Sequence, residues 1–330
     1  MFPSTQGDAK LLPLEGRRPS DTQAARIPDE YLQLLLPAAV VHSWHQEDAY
    51  VLSQHVGLKQ FSLWIHDITS HSDQVIRPFA PFPLFFLHYL FESSFSIRMP
   101  HIGSFQLDED ACNLFYMETG IGYLPLEAGT KAVSIHINIT PACMQQLATR
   151  YPSIQQRLNK MTSGHQVLNK HPYEVNAISR LLISKMMTCR YLQPDADLYL
   201  ERCCADLFKI FCCQHAIANK SSFNNDLSTY DAYLKIFEYL RTHLELHHDI
   251  QKLSWMFGIP ATDLAAGFLN TFSLTIQECL HMLKMMQAFA LLMQHSYSFS
   301  EIATAVDMDT EKMIDSLEKY YNFKVMLQRN

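Results

Sequence analysis

Apolar residues recur in two rhythms along this chain, a period of two in the first half and a helical period after it. From Phe61, Leu63 and Ile65 alternate with Ser62, Trp64 and His66, and later Val133, Ile135, Ile137 and Ile139 alternate with Ser134, His136 and Asn138. Alternation of this kind gives strands with one dry face. Between them lie Leu84 to Phe91, Phe95 to Arg98 and Cys112 to Glu118, separated by Pro81, Pro83, Pro100, Gly103 and Gly120. Short strands at that spacing predict a small antiparallel barrel or sandwich.

At Thr140-Pro141 the period changes. Thr caps a helix N-terminus, Pro suits the first turn, and Met144, Leu147 and Tyr151 then recur at helical spacing. Two further helices are predicted, around Tyr173 to Tyr191 and around Leu198 to His215. The chain therefore reads as α+β: a polar tail over 1–27, a β-rich domain over 28–140, a helical middle segment over 141–218, a Ser- and Asn-rich linker over 219–229 and an all-α domain over 230–330.

The all-α domain contains two helix-turn-helix patterns in tandem. Leu234, Ile236, Phe237 and Leu240 mark a first helix, and Asp249 is placed to cap a second that carries Leu253, Met256 and Phe257. Gly258 stands where a tight turn needs it, and a third helix from about Pro260 carries Leu264 and Phe268 on one face. A long apolar helix over 276–293 follows. Ser300-Glu301-Ile302-Ala303, a turn at Asp307-Met308, and the stripe Met313, Leu317 and Tyr321 then repeat the outline.

This run resembles the DNA-binding domain of the AraC/XylS family of transcription regulators. Leu253, Gly258, Leu264 and Phe268 fall at the spacing of its first unit, and Leu280, Lys284, Ala288, Leu291 and Leu292 match its connecting helix. Ile302-Ala303, Met313, Leu317, Tyr321, Asn322 and Arg329 match its second signature, with one residue missing near Asp309. The match runs from about Lys235 to Arg329; the upstream region resembles the sensor and dimerisation domain of such regulators more weakly. The resemblance implies a cupin-like antiparallel β-barrel that senses a small-molecule effector or partner, a helical dimerisation segment giving a homodimer, and a C-terminal reader of double-stranded DNA.

Charge pulls against that reading. The net charge of -7 is concentrated in residues 226–330, which hold 8 Lys+Arg against 13 Asp+Glu. Counterion release from phosphates needs cations, yet Ala266, Gly267 and Leu269 stand where the family usually offers Arg or Lys, and Asp315, Glu318 and Lys319 occupy the second unit's basic positions. The family's glycine is replaced by Ser273 and Asn322, which predicts a distorted end to the first unit because Ser tolerates the left-handed conformation poorly. Candidate DNA contacts are Arg241, Lys252, Lys312 and Lys319 for phosphate, with Thr262, Asp263, Ala266, Asn270 and Ser316 on the two recognition helices. Lys284 is a further candidate anchor.

Other clusters carry weaker chemistry. Arg77, Phe85, Tyr89 and Arg98, with the aromatic run around them, are candidates for an effector pocket, against the ordinary reading of aromatic strands as core. His42, His45, His66, His88 and His136 invite a metal on neighbouring strands, but match no compact ligand motif, and core or surface histidines are favoured. Cys203, Cys204, Cys212 and Cys213 with His215 suggest zinc or a redox sensor; as Cys204, Phe208, Cys212 and His215 they read better as a packed stripe. Met282, Met285, Met286 and Met293 read as packing rather than as a pliable partner surface.

No Gly-rich phosphate loop, nucleophile elbow or carboxylate pair stands out, which argues against an enzyme, and no cofactor is implied. No apolar run approaches about 18 residues and no leader pattern opens the chain, so membrane and export readings are disfavoured. Eight scattered cysteines suit a reducing cytoplasm. Two functions remain: a DNA-binding regulator of AraC/XylS type, and a regulator-derived module that has lost DNA and acts by small-molecule or protein interaction.

Overall fold

The computed structural model describes residues 27, 29–46, 49–99, 103–219 and 227–325. The expected tail apart from Ile27, most of the expected linker, Pro100 and Arg329 lie outside the described residues. The strands are β1 (Val40–Gln46), β2 (Ala49–Gly57), β3 (Ser62–Ser70), β4 (Gln74–Ile76), β5 (Phe79–Ala80), β6 (Leu84–Phe91), β7 (Phe95–Met99), β8 (Gly103–Leu107), β9 (Ala111–Met117), β10 (Gly120–Ile121), β11 (Leu124–Leu126), β12 (Lys131–Ile139), β13 (Gln166–Val167) and β14 (Tyr173–Glu174). The helices are α1 (Pro141–Ala148), α2 (Pro152–Leu158), α3 (Ala177–Met187), α4 (Asp195–Ala218), α5 (Leu227–Thr242), α6 (Ile250–Phe257), α7 (Ala261–Phe272), α8 (Ile276–Met293), α9 (Phe299–Ala305) and α10 (Thr310–Tyr321). They fall into two compact units, one within Met1–Val175 and Ser179–His215, the other within Asn176–Ile178 and Ala216–Asn330.

In the first unit the main sheet is antiparallel in the order β1-β2-β3-β12-β6-β9-β13, with β14 also on β9. Three two-stranded ladders, β5 with β10, β4 with β11 and β7 with β8, accompany it. The sheet runs from β1 to β13 without joining its ends, so among the described residues the expected barrel is an open sheet. The two-residue strands β13 and β14 offer no length with which to close it.

Strand parity sorts the core. Leu63, Ile65, Leu87, Tyr89, Ile135 and Ile137 are buried on one face of the sheet, and each such side chain contributes about 1.5–3 kcal/mol. The alternating positions, which the sequence presents as the wetter side, are not outside. Ser62, Trp64, His66, His88 and Ser134 are buried too, beneath the short ladders. β1 and β2 escape the alternation test because β2 is buried on both faces over most of its length.

The helical segment departs from expectation at its start. Tyr173 opens no helix but pairs in β14 with Cys112, and the chain makes α2 before it, with Pro152 at the first turn. Thr140 caps α1 as its position predicts, its hydroxyl accepting the Cys143 N–H at 3.3 Å. Residues of this segment share a compact unit with the strands rather than forming a domain of their own.

The second unit is all helix. α5, α6 and α7 form one trihelical group, α8 joins it to α9 and α10, and each group ends in a left-handed cap. Capping boxes open α8 at Thr275 with Glu278 and α9 at Ser298 with Glu301.

Candidate functional site

A cavity of about 170 Å³ lies in the first unit, between the main sheet and the ladders. The sheet contributes Trp64 and His66 from β3, Leu84, Phe86 and His88 from β6, Phe115 from β9, and Ser134, His136 and Asn138 from β12. The ladders close it with Phe79, Phe95, Ile97, Met99, Leu107 and Leu124. Among the described residues no Asp, Glu, Lys or Arg lines it.

Register brings the histidines together. His136 faces His88 across the β12–β6 pair, and Ser134 faces His66 across β12–β3, so residues far apart in sequence become neighbours on one face. Ring centroids are 4.8 Å apart for His88 and His136 and 5.0 Å for His66 and His136. The line continues through Trp64, 5.8 Å from His66, to His55, stacked on Trp64 at 4.1 Å.

Serine hydroxyls hold part of this line. Ser53 Oγ lies 2.9 Å from His66 Nδ1, and Ser134 Oγ 3.4 Å from His136 Nε2. Ser62 Oγ accepts the Trp64 indole N–H at 3.0 Å and lies 2.9 Å from His55 Nε2. His88 Nδ1 is buried and has no hydrogen-bond partner among the described residues.

Burial penalises the charged imidazole, and each ring repels a proton on the next. His55 is lowered to about 4 by burial and then by His42; His88 to about 3 by burial and then by His66. His66 is held well below the usual range by burial, then by His136 and His55, and His136 likewise by burial and then by His88. At neutral pH the cluster is a set of uncharged donors and acceptors. Among the described residues no group of three or more His, Cys, Asp or Glu side chains has metal-holding geometry.

The residues the sequence nominates for a pocket lie elsewhere. On β6 the odd positions Phe85 and Tyr89 face away from the cavity, and burial together with nearby Cys112, Cys204 and Cys212 drives the Tyr89 phenol well above its ordinary range. Arg98 is exposed on β7, and Arg77 lies over the Tyr123 ring at 5.5 Å rather than lining the cavity. Cys203, Cys204 and Cys212 are buried free thiols pushed up by desolvation, and His215 lies 2.7 Å from the Tyr173 hydroxyl. Met282, Met285 and Met286 are buried on α8.

In the second unit both turns contain a left-handed residue, Gly258 in the first and Asp307 at φ 48 in the second. Gly258 sits at φ 66 between α6 and α7. Ser273 adopts φ 62 and ψ 18, its N–H donating to Leu269 O at 2.7 Å, so the expected distortion is absent and the serine forms the left-handed cap itself. Asn322 does the same after α10 at φ 53. Asp249 occupies the N-cap of α6 without a side-chain cap bond, whereas Asp309 caps α10 by accepting the Lys312 N–H at 2.8 Å.

Gly267 has a packing cause. A Cβ there would overlap the phenol ring and hydroxyl of Tyr233 on α5, and that hydroxyl donates to Asp263 O at 3.1 Å. Thr262, Asp263 and Ala266 are exposed on α7, with Asn270 half-buried. On α10, Lys312 and Lys319 are exposed and Ser316 half-buried.

Several candidate cations are engaged locally. Arg241 pairs with Glu238 at 2.5 Å, Lys319 with Asp315 at 2.7 Å and Lys324 with Glu318 at 2.7 Å. Lys284, 14% exposed, reaches Asp307 in the α9–α10 turn at 3.2 Å and ties α8 to that turn. Lys252 and Lys312 are exposed and form no ion pair with the described residues. Trp255, on α6, is 86% exposed, a feature periodicity alone does not single out.

No protein-family model matches the chain, and no curated protein matches it. Among solved structures, ToxT from Vibrio cholerae at 1.65 Å resolution overlaps 81% of this chain and 96% of its own, with 12% identity and a TM-score of 0.32. The AraC-like transcriptional activator CuxR overlaps 77% of this chain and 88% of its own, again at 12% identity and 0.32. The C-terminal domain of AraT, a response regulator from Geobacillus stearothermophilus, overlaps 30% and 91%, with 14% identity and 0.26. Likeness at this level carries no functional argument. Among the described residues no helix is long and apolar enough to cross a membrane.

Proposed function

We propose that this chain is a transcription regulator built on the AraC/XylS plan, in which a small molecule in the β-sheet cavity alters how a tandem helix-turn-helix unit engages double-stranded DNA. One observation carries the reading: each turn holds a left-handed residue, Gly258 between α6 and α7 and Asp307 between α9 and α10, and α7 and α10 offer exposed faces. Arg241, Lys252, Lys312 and Lys319 supply phosphate contacts in this reading, and Thr262, Asp263, Ala266, Asn270 and Ser316 face base edges. The ion pairs of Arg241 and Lys319 are exposed and worth little, so phosphate can displace their carboxylates. Dimerisation through residues 141–218 and a cytoplasmic location belong to the same reading.

The test is binding of the full chain to genomic promoter fragments over a salt series starting near 50 mM, where phosphate contacts are strongest. Preference for particular fragments over random duplex supports the reading, and no preference at any salt rejects it. Solution mass measures the dimer.

A second reading, a regulator-derived module that binds a protein or small molecule instead of DNA, is favoured by a different observation. α7 carries one charged residue, Asp263, and the neighbouring α6 exposes Trp255. Failure on DNA together with ligand binding in the cavity would select it.

A further inference from the structure

We infer that the cavity takes a compact, uncharged aromatic molecule carrying one hydroxyl or N–H group, seated with its ring among Trp64, Phe86, Phe95 and Phe115 and its polar group at the His66–His88–His136 cluster. This deepens the ligand-sensing part of the proposed function and rests on it.

Size comes first. A cavity of about 150 Å³ lined by Leu, Ile and Phe holds benzene, so about 170 Å³ admits one ring with a few further atoms. The lining fits a ring: Trp64, Phe79, Phe82, Phe86, Phe95 and Phe115 present aromatic edges and faces, with Met99 and Leu124 filling between.

Charge decides the class. With no Asp, Glu, Lys or Arg among the described residues on the walls, a carboxylate meets no cation there and an ammonium no carboxylate. The histidines do not supply the missing charge, because the rings lie 4.8 and 5.0 Å apart, His66 and His88 buried and His136 half-buried, and each disfavours its neighbour's protonation.

Hydrogen bonding supplies the last requirement. Ser53 occupies Nδ1 of His66 and Ser134 approaches Nε2 of His136, whereas His88 Nδ1 is without a partner among the described residues. A neutral imidazole keeps one donor and one acceptor, so the cluster has capacity left for a ligand hydroxyl or N–H. An occupant with such a group can bond the ring nitrogens of the cluster that no side chain holds; a plain hydrocarbon cannot.

Matched probes test this on the full chain by calorimetry at pH 7.5: benzyl alcohol, toluene, benzoate and benzylamine share one ring and differ in polarity and charge. Benzyl alcohol is expected to bind at least tenfold more tightly than benzoate or benzylamine, and about fivefold or more above toluene. His88→Leu should abolish the preference for alcohol over toluene while toluene still binds. Should that variant fail to fold, imidazole nitrogen resonances of the unaltered chain replace it, and they must shift with benzyl alcohol and not with toluene. Benzoate or benzylamine binding as tightly as the alcohol overturns the inference and leaves ligand sensing standing. Binding of none of the four overturns both.

Discussion

The phenol of Tyr233 on α5 fills the space a side chain at position 267 of α7 would need, and its hydroxyl donates to Asp263 O one turn earlier. Gly267 is therefore a packing requirement that outweighs the roughly 1 kcal/mol a glycine costs inside a helix. Gly267→Ala should lower stability by about 1–3 kcal/mol despite the better propensity. Tyr233→Ala should make the same substitution almost neutral. Thermal denaturation of the two single variants and the double variant reads the coupling, and strict additivity would contradict it.

Lys284 and Asp307 join α8 to the turn between α9 and α10, where Asp307 itself holds φ 48. Lys284→Met removes a charge-assisted bond from a largely enclosed site and should cost about 1–2 kcal/mol. A phosphate anchor would behave differently. Denaturant midpoints should fall, while the salt dependence of any DNA binding stays unchanged; a shallower salt slope with unaltered stability would reverse the assignment.

The histidine cluster sets an acid limit. His55, His66, His88 and His136 are depressed in the folded chain from the ordinary value of 6.5, His55 to about 4 and His88 to about 3. The unfolded chain therefore binds more protons below about pH 6.5, and stability present above that value is lost as pH falls toward the folded values. Each enclosed ring contributes a slope of about 1.4 kcal/mol per pH unit inside that window. Melting temperatures at pH 7.5, 6.0 and 5.0 should drop steeply only below 6.5. His88→Leu should flatten the drop, and an unchanged slope in that variant would count against the cluster as its source.

Electrostatics of the helical unit can be altered without disturbing its frame. Ala266 and Asp315 are exposed, whereas Glu318 accepts the Val325 N–H at 2.9 Å and is better left in place. Ala266→Arg with Asp315→Arg should leave stability within about 0.5 kcal/mol. The slope of log affinity against log salt on random duplex should steepen by about 2. No steepening would mean that these two faces do not meet the duplex.

The helical half was largely legible because its signals are local. Apolar spacing locates α8 at 276–293, and Gly258 marks its turn by conformational need. Ser273 was harder, since a serine gives no local sign that its neighbours will hold it left-handed. In the sheet, alternation marks β3 and β12, and an aromatic run between turn residues marks β6, but alternation sets Ser134, His136 and Asn138 opposite the dry face. The short ladders that cover that face are specified by contacts distant in sequence, so neither the cavity nor the meeting of His66, His88 and His136 follows from spacing alone. β14 is illegible for the same reason: two residues at Tyr173 have no period, and only their pairing with β9 makes them a strand.

α8 packs against helices of both groups, and Cys279, Leu280, Met282, Leu283, Met285, Met286, Ala288, Phe289 and Leu292 bury most of its circumference. Its 18 residues span about 27 Å, so the helix acts as a stiff beam rather than a tether. Whatever grips one group thereby fixes the stance of the other, and neither can search for its own contact independently.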